Sequence, residues 1–213
     1  MEGGIMNTSK QIAQYLLEVE AVTLSPDHLF TWASGIKSPI YCDNRITMSY
    51  PQVRKFIAES FANEIKTLYP EVDYIVGTAT AGIPQACWVS DLLDKPMAYV
   101  RPKPKDHGKG KQIEGMIPRG SKVIVIEDLI STGGSCIKVC DALEAEGIEV
   151  LCVYAVFTYE LKKALVAFNE ANITLHTLSN YSTLIQVARE MEAITDDNLE
   201  LLQSWAIDPS SFK

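Results

Sequence analysis

Lys122-Val123-Ile124-Val125-Ile126-Glu127-Asp128-Leu129-Ile130-Ser131-Thr132-Gly133-Gly134-Ser135 is the stretch that decides the fold. Its opening run is continuously β-branched, as a strand buried on both faces of a parallel sheet requires. Two carboxylates leave that strand, a turn of small residues follows, and from Gly133 a helix is predicted to Glu146, where Gly147 stops it. The same alternation extends outward in both directions. Upstream, Asp73 to Gly77 reads as a buried strand, followed by a Gly/Thr/Ala turn, a helix through Leu93 and a short strand from Met97 to Arg101. Downstream, Ile148 to Phe157 is predicted as strand, Tyr159 to Glu170 as helix and Ile173 to Leu178 as strand, with helices at Tyr181–Met191 and Asp196–Trp205. Strands alternating with helices mean an α/β fold, a parallel sheet flanked by helices. Its ligand is expected beyond the carboxyl ends of the strands.

The chain before Asp73 is less regular. Ile12 to Val19 has helical spacing, with Asn7, Thr8 or Ser9 as candidate caps. Thr23 to Ser49 is polar and rich in turn residues. Ser49 is placed as the cap of a helix through Leu68, whose apolar face is Val53, Phe56, Ile57, Phe61, Ile65 and Leu68 and which Pro70 ends.

Composition excludes several classes. With 47% hydrophobic and 22% charged residues in 213, the chain can bury a sizeable core. No apolar run approaches the roughly 18 residues that span a bilayer, and Met1 to Met6 lacks the basic and apolar parts of a signal peptide. A cytoplasmic location is expected. Five cysteines without CxxC pairs fit neither a disulfide framework nor a zinc finger; Cys87, Cys136, Cys140 and Cys152, among apolar neighbours, are assigned to packing. The net charge of −8 argues against general nucleic-acid binding. One strip departs from it: 101–111 carries Arg101, Lys103, Lys105, Lys109 and Lys111 against Asp106, a local +4 that leaves −12 elsewhere. On its charge alone, such a strip is a solvated loop.

The Glu127–Ser135 turn reads as a site for a phosphate monoester. Glycines let backbone approach a ligand, a helix N-terminus offers unpaired N–H groups, and Ser131, Thr132 and Ser135 add hydroxyl donors. The adjacent carboxylates suit sugar hydroxyls or a cation. The plainer alternative is that Glu127 and Asp128 merely end a strand while Thr132 or Gly133 caps a helix. No Walker A spacing is present.

This segment resembles the phosphoribosyl pyrophosphate (PRPP) motif of the type I phosphoribosyltransferases: four apolar residues, two acids, two apolar residues and a Thr/Gly-rich turn. The resemblance implies that Glu127 and Asp128 take the ribose hydroxyls, and that Leu129, Ile130, Ser131, Thr132, Gly133, Gly134 and Ser135 form the rest of the PRPP site, with the turn on the 5′-phosphate. It also implies the fold of that family, with residues 1–213 as a single domain to which 1–48 contribute a small N-terminal substrate-binding hood.

Three further segments resemble the orotate phosphoribosyltransferases in particular. Arg101-Pro102-Lys103-Pro104-Lys105-Asp106-His107-Gly108 is similar to their catalytic loop, which closes over PRPP from the neighbouring subunit of a homodimer. It implies Lys105 and His107 as catalytic, PRPP-binding groups and Arg101 as a pyrophosphate ligand. Ser34-Gly35-Ile36-Lys37-Ser38-Pro39-Ile40-Tyr41-Cys42-Asp43-Asn44-Arg45 is similar to the substrate loop; it implies Lys37 near the base, with Ser131 also on the orotate side. Gly77-Thr78-Ala79-Thr80-Ala81-Gly82-Ile83-Pro84 resembles the pyrophosphate loop, with Thr78, Ala79, Thr80 and Ala81 as its ligands. Mg²⁺ is implied as cofactor, held mainly through PRPP rather than in a protein cage.

Two departures from the family stand out. Pro102 replaces a lysine common in relatives, and Phe157-Thr158-Tyr159 lacks an arginine that grips orotate in many of them. Arg45 is the candidate substitute. His28 and His176 match no motif and are assigned to surface or packing, as Trp88 and Trp205 are to core. A transferase for xanthine or adenine would share the Glu127–Asp128 motif but not the Lys-Asp-His-Gly loop. A regulator on the same fold that binds nucleic acid would need a broad basic face. A generic nucleotide-binding domain leaves the basic strip unexplained.

Overall fold

In the computed structural model, Val123 to Ile126 are 0% exposed, and neighbouring side chains serve opposite faces of one sheet. Ile124 and Ile126 join one apolar core, Val123 and Val125 the other. That two-residue period is what a strand covered by helices on both sides demands. The structure describes residues 2–32, 35–102, 112–209 and 212.

In chain order the elements are α1 (Glu2–Glu18), β1 (Val22–Leu24), β2 (Phe30–Thr31), β3 (Lys37–Ser38), β4 (Ile40–Cys42), a 3₁₀ segment (Asn44–Ser49), α2 (Pro51–Leu68), β5 (Tyr74–Thr78), α3 (Gly82–Leu93), β6 (Met97–Val100), β7 (Ile113–Glu114), β8 (Lys122–Ile130), α4 (Gly134–Ala145), β9 (Glu149–Thr158), α5 (Lys162–Glu170), β10 (Leu175–Asn180), α6 (Tyr181–Glu190) and α7 (Asp196–Ile207). The main sheet runs β10-β9-β8-β5-β6-β7, parallel except for β7. From β5 the chain moves outward to β6 and then returns to the far side as β8. The strand order therefore reverses between β5 and β8, which is where such sheets open a ligand crevice. One core lies under α1, α2, α3, α6 and α7, the other under α4 and α5. No helix among the described residues is long and apolar enough to cross a membrane.

The polar stretch before α2 contains more structure than its composition suggests. β1 pairs antiparallel with β4, and β2 with β3, forming two small hairpin ladders. Each strand is only two or three residues long, too short for the alternation that reveals strands in sequence. β7 escaped notice for the same reason.

Several boundaries differ from expectation. α1 starts at Glu2, so Asn7, Thr8 and Ser9 lie within it rather than at its cap; Ser9 is engaged instead with Ser179, whose hydroxyl donates to the Ser9 carbonyl at 2.9 Å. Tyr50, not Ser49, occupies the cap position of α2, without a side-chain bond, and Pro51 opens that helix. β8 continues through the acid pair to Ile130 because its ladder with β9 continues, Glu127 opposite Ala155 and Ile130 opposite Thr158. α5 starts three residues late because the Tyr159 N–H donates to Ile130 O at 3.1 Å and Glu160 sits at φ +58°. Cys87 is exposed on α3, whereas Cys136, Cys140 and Cys152 are buried as assigned. Trp205 is core at 0% exposure, and Trp88 is half-buried under the Arg54 guanidinium. His28 is exposed, and His176 stacks on Tyr154 with centroids 4.7 Å apart.

Gly82 sets the crevice. A Cβ there would collide with the Ile126 carbonyl oxygen and with Thr78 Oγ1, so only glycine lets α3 begin directly over β8. Gly82→Ala is expected to cost about 2 kcal/mol by overpacking. A lowered urea midpoint would register it; an unchanged midpoint would mean that α3 can slide from β8 freely.

Candidate active site

The carboxyl ends of β5, β6, β8 and β9 carry the residues singled out in the sequence. Glu127 is 9% exposed and Asp128 half-exposed, on successive residues of β8. The Asp128 N–H donates to Glu127 Oε1 at 2.9 Å, folding that carboxylate back over its own strand. Burial, with the Asp128 carboxyl beside it, pushes the Glu127 acid up to about 8; Thr78 on β5 opposes the rise only weakly.

Beyond the acids, Ser131 and Thr132 are half-buried and Gly134 and Ser135 exposed. Gly133 is the cap of α4 at φ +78°, and no side chain occupies the cap. First-turn N–H groups of a helix have no partner within it, so this turn presents donors to an anion. Gly133 is restricted twice over: its φ favours glycine, and a Cβ would sit 2.8 Å from the Phe168 ring.

Across the crevice Thr78 ends β5. Its hydroxyl donates to Ile126 O at 3.3 Å. Ala79 and Ala81 are half-buried and Thr80 is exposed; the Ala79–Thr80 peptide is cis, and the Ala79 N–H donates to Val100 O at 2.9 Å. Arg101 follows β6, half-buried, its guanidinium 3.7 Å from Glu114. The ends of the basic strip meet: Arg101 N–H donates to Gln112 O at 2.9 Å, and Gln112 Nε2 to Arg101 O at 3.1 Å. Lys105 and His107 lie outside the described residues, as does everything from Lys103 to Lys111.

Lys37 and Arg45 both lie before α2, on β3 and in the 3₁₀ segment. Lys37 is half-buried, its Nζ donating to Thr31 Oγ1 at 2.8 Å, while its carbonyl accepts from Trp205 Nε1 at 2.9 Å. Arg45 is exposed and paired bidentately with Asp43, at 2.6 Å through Nε and 2.7 Å through Nη2. That pairing holds the Asp43 carboxyl below the usual carboxylate range. Two groups that the sequence reading passed over bind hood to sheet. Asn44, buried, donates from Nδ2 to the Asp128 carbonyl at 2.6 Å. Tyr159, in the region where an arginine was expected, is buried, with its ring 4.7 Å from that of Trp32. Asn44 stands inside a quoted motif, yet nothing in its spacing distinguishes it from a surface amide.

An acid pair thus adjoins an uncapped helix N-terminus, and the segment that carries Asn44 touches the strand bearing the acids. Among the described residues, no cluster of three or more His, Cys, Asp or Glu could hold a metal ion alone. The Glu127–Asp128 pair suits an ion such as Mg²⁺, which keeps most of its water and shares substrate oxygens.

Residues 48–174 match the phosphoribosyl transferase domain family. Over 204 residues, 96% of this chain and 97% of the relative, the chain is 59% identical to an orotate phosphoribosyltransferase of Enterococcus faecalis. It belongs to the orotate phosphoribosyltransferase family. Among solved structures, the orotate phosphoribosyltransferase of Aeropyrum pernix superposes with a TM-score of 0.73 at 25% identity, covering 86% of this chain and 99% of that one. A UMP synthase of Leishmania donovani gives 0.79 at 26% identity, covering 93% of this chain but 42% of its own. The type I phosphoribosyltransferase fold expected from the β8 motif is therefore the fold present. Tyr159, in the region where an arginine was expected, packs instead against Trp32.

The buried acid sets a pH dependence. Between its ordinary value of 4.5 and about 8, folded protein holds the Glu127 proton and unfolded protein releases it. Stability therefore falls as pH rises through that window. Urea midpoints measured across it should decline more steeply for the unaltered protein than for Glu127→Gln; parallel curves would contradict the assignment. If Glu127 takes the ribose hydroxyls, as the resemblance implies, its ionised form accepts them better, and kcat/KM for PRPP should rise through about pH 8.

Proposed function

We propose that this protein transfers the ribose 5-phosphate of PRPP to N1 of orotate, forming orotidine 5′-phosphate and pyrophosphate in pyrimidine biosynthesis. The observation that carries the reading is the acid pair on β8 leading into the uncapped N-terminus of α4, in a chain 59% identical to a curated orotate phosphoribosyltransferase. The base-specific Lys-Asp-His-Gly and Ser-Gly-Ile-Lys-Ser-Pro segments support orotate over other bases.

In this mechanism a C1′–N1 bond forms as the C1′–O bond to pyrophosphate breaks; the electron pair of that bond leaves with pyrophosphate, and the N1 proton of orotate passes to water or to the released pyrophosphate. Glu127 and Asp128 hold the ribose hydroxyls, and the Ser131–Ser135 turn holds the 5′-phosphate. Thr78 to Ala81, Arg101, Lys105 and His107 receive the charge that grows on the leaving group. Lys37 and Arg45 orient the base, with Ser131 at its edge; the Asp43 pair uses Nε and Nη2 of Arg45 and leaves Nη1 to a substrate carboxylate. A Mg²⁺ ion held mainly through PRPP, beside Glu127 and Asp128, would neutralise charge on the leaving group as a Lewis acid. Positioning two substrates accounts for much of the remaining acceleration, and closure of the 101–111 loop excludes water that would hydrolyse PRPP. The same reading has two copies pairing in the cytoplasm, each loop covering its partner's site.

The test is loss of orotate absorbance with protein, PRPP and Mg²⁺, beside uracil, xanthine and adenine. Turnover with orotate alone, abolished by chelating Mg²⁺, is expected; turnover with another base would discard the orotate assignment, and PRPP binding without turnover would favour a regulator. Lys105→Ala should lose at least about 100-fold in kcat while retaining PRPP binding. Arg45→Ala should raise the orotate KM far more than the PRPP KM; equal changes would refute its role.

A further inference from the structure

β5 and β8 part company after Gly77 and Ile126, their last paired residues. β8 runs on to Ile130 with only β9 beside it. Backbone groups on a strand alternate in direction, so the carbonyls of Ile126 and Asp128 both face the side that β5 has vacated. In the interior an acceptor without a partner is costly. Thr78 Oγ1 supplies a donor to Ile126 O at 3.3 Å. The next acceptor, Asp128 O, is served from the hood, by Asn44 Nδ2 at 2.6 Å.

Asn44 is built for that contact. It is 3% exposed. Its Oδ1 accepts from Cys42 Sγ at 3.3 Å and its carbonyl from Thr47 Oγ1 at 2.6 Å, so the amide has one orientation and the 3₁₀ segment one register. The hood's other ties reach elsewhere: Trp205 Nε1 holds the Lys37 carbonyl, and Trp32 packs on Tyr159. Asn44 alone among these grips the strand that bears the acid pair, and it does so between Asp43 and Arg45, next to the proposed base ligand.

We propose that Asn44 is a positioning residue which sets the base-binding hood in register with the ribose-binding acid pair, so that N1 and C1′ meet in line. The assignment rests on the reading under Proposed function. Asn44 touches no substrate in it. Each half-site stays assembled without the amide, because Glu127 and Asp128 remain on β8 and Lys37 remains tied to Trp205. What is lost is their mutual alignment, and misalignment appears in the chemical step rather than in the affinity for either substrate.

Three variants test this beside the unaltered protein. Asn44→Ala should lower kcat about 10- to 100-fold, while the Kd for PRPP, measured calorimetrically without base, stays within about threefold. Trp205→Phe, which deletes one hydrogen bond at the opposite end of the hood but keeps the aromatic packing, should raise the orotate KM more than it lowers kcat. Asn44→Asp places a carboxyl against the Asp128 carbonyl, beside Asp43, Asp128 and Glu127 and near Arg45. Once protonated, that carboxyl can donate the lost bond, so the ratio of its kcat to that of the unaltered protein should climb as pH falls. A kcat for Asn44→Ala within twofold of normal would overturn the assignment alone. So would loss of PRPP binding in step with thermal stability in both Asn44 variants, or a pH-independent ratio for Asn44→Asp, since either makes the amide a fold element only. Absence of orotate turnover in the unaltered protein would overturn the proposed function, and this assignment with it.

Discussion

The parting of two strands organises this protein. β5 and β8 lie side by side until Gly82 allows α3 to start over the Ile126 carbonyl, and from there β8 continues with one neighbour instead of two. The edge so created is partly buried, and its carbonyls at Ile126 and Asp128 find side-chain donors there. Thr78 and Asn44 answer that need, and in doing so bring the strand-to-helix turn after β5 and the N-terminal hood against the acid pair. The crevice is thus a consequence of satisfying backbone polarity at a point where strand order reverses.

Charge is distributed around that crevice with some economy. Glu127 is buried deeply enough to hold its proton to about pH 8. Backbone N–H groups at the start of α4 and the Arg101 guanidinium after β6 lie at the carboxyl ends of neighbouring strands. An acidic chain of net charge −8 therefore offers a polyanion one local region of opposite sign.

The hood has little stability of its own, since ladders of two or three residues do not persist alone. It is held by aromatic packing from distant parts of the chain. Trp32 meets Tyr159 at 4.7 Å and Trp205 at 5.8 Å, and Trp205 also packs on Tyr181 at 5.3 Å. The last long helix thereby supports a substrate loop more than 160 residues upstream, through the indole bond to Lys37 as well as through packing.

The sheet, its flanking helices and the acid-pair turn were legible in the sequence by itself, because burial on two faces enforces continuous apolar runs and glycine marks backbone that no other residue can follow. The motif order likewise pointed to the family before any geometry was known. Tertiary structure decided what those local rules do not encode. The extension of β8 through Glu127 and Asp128 depends on pairing with β9, the late start of α5 on the Tyr159–Ile130 hydrogen bond, and the exposure of Cys87 on which face of α3 meets the core. Asn44 is the clearest case. An asparagine between an aspartate and an arginine carries no mark of burial, and its partner lies 84 residues away. Only the folded chain reveals that a carbonyl abandoned by one strand is the acceptor its amide meets.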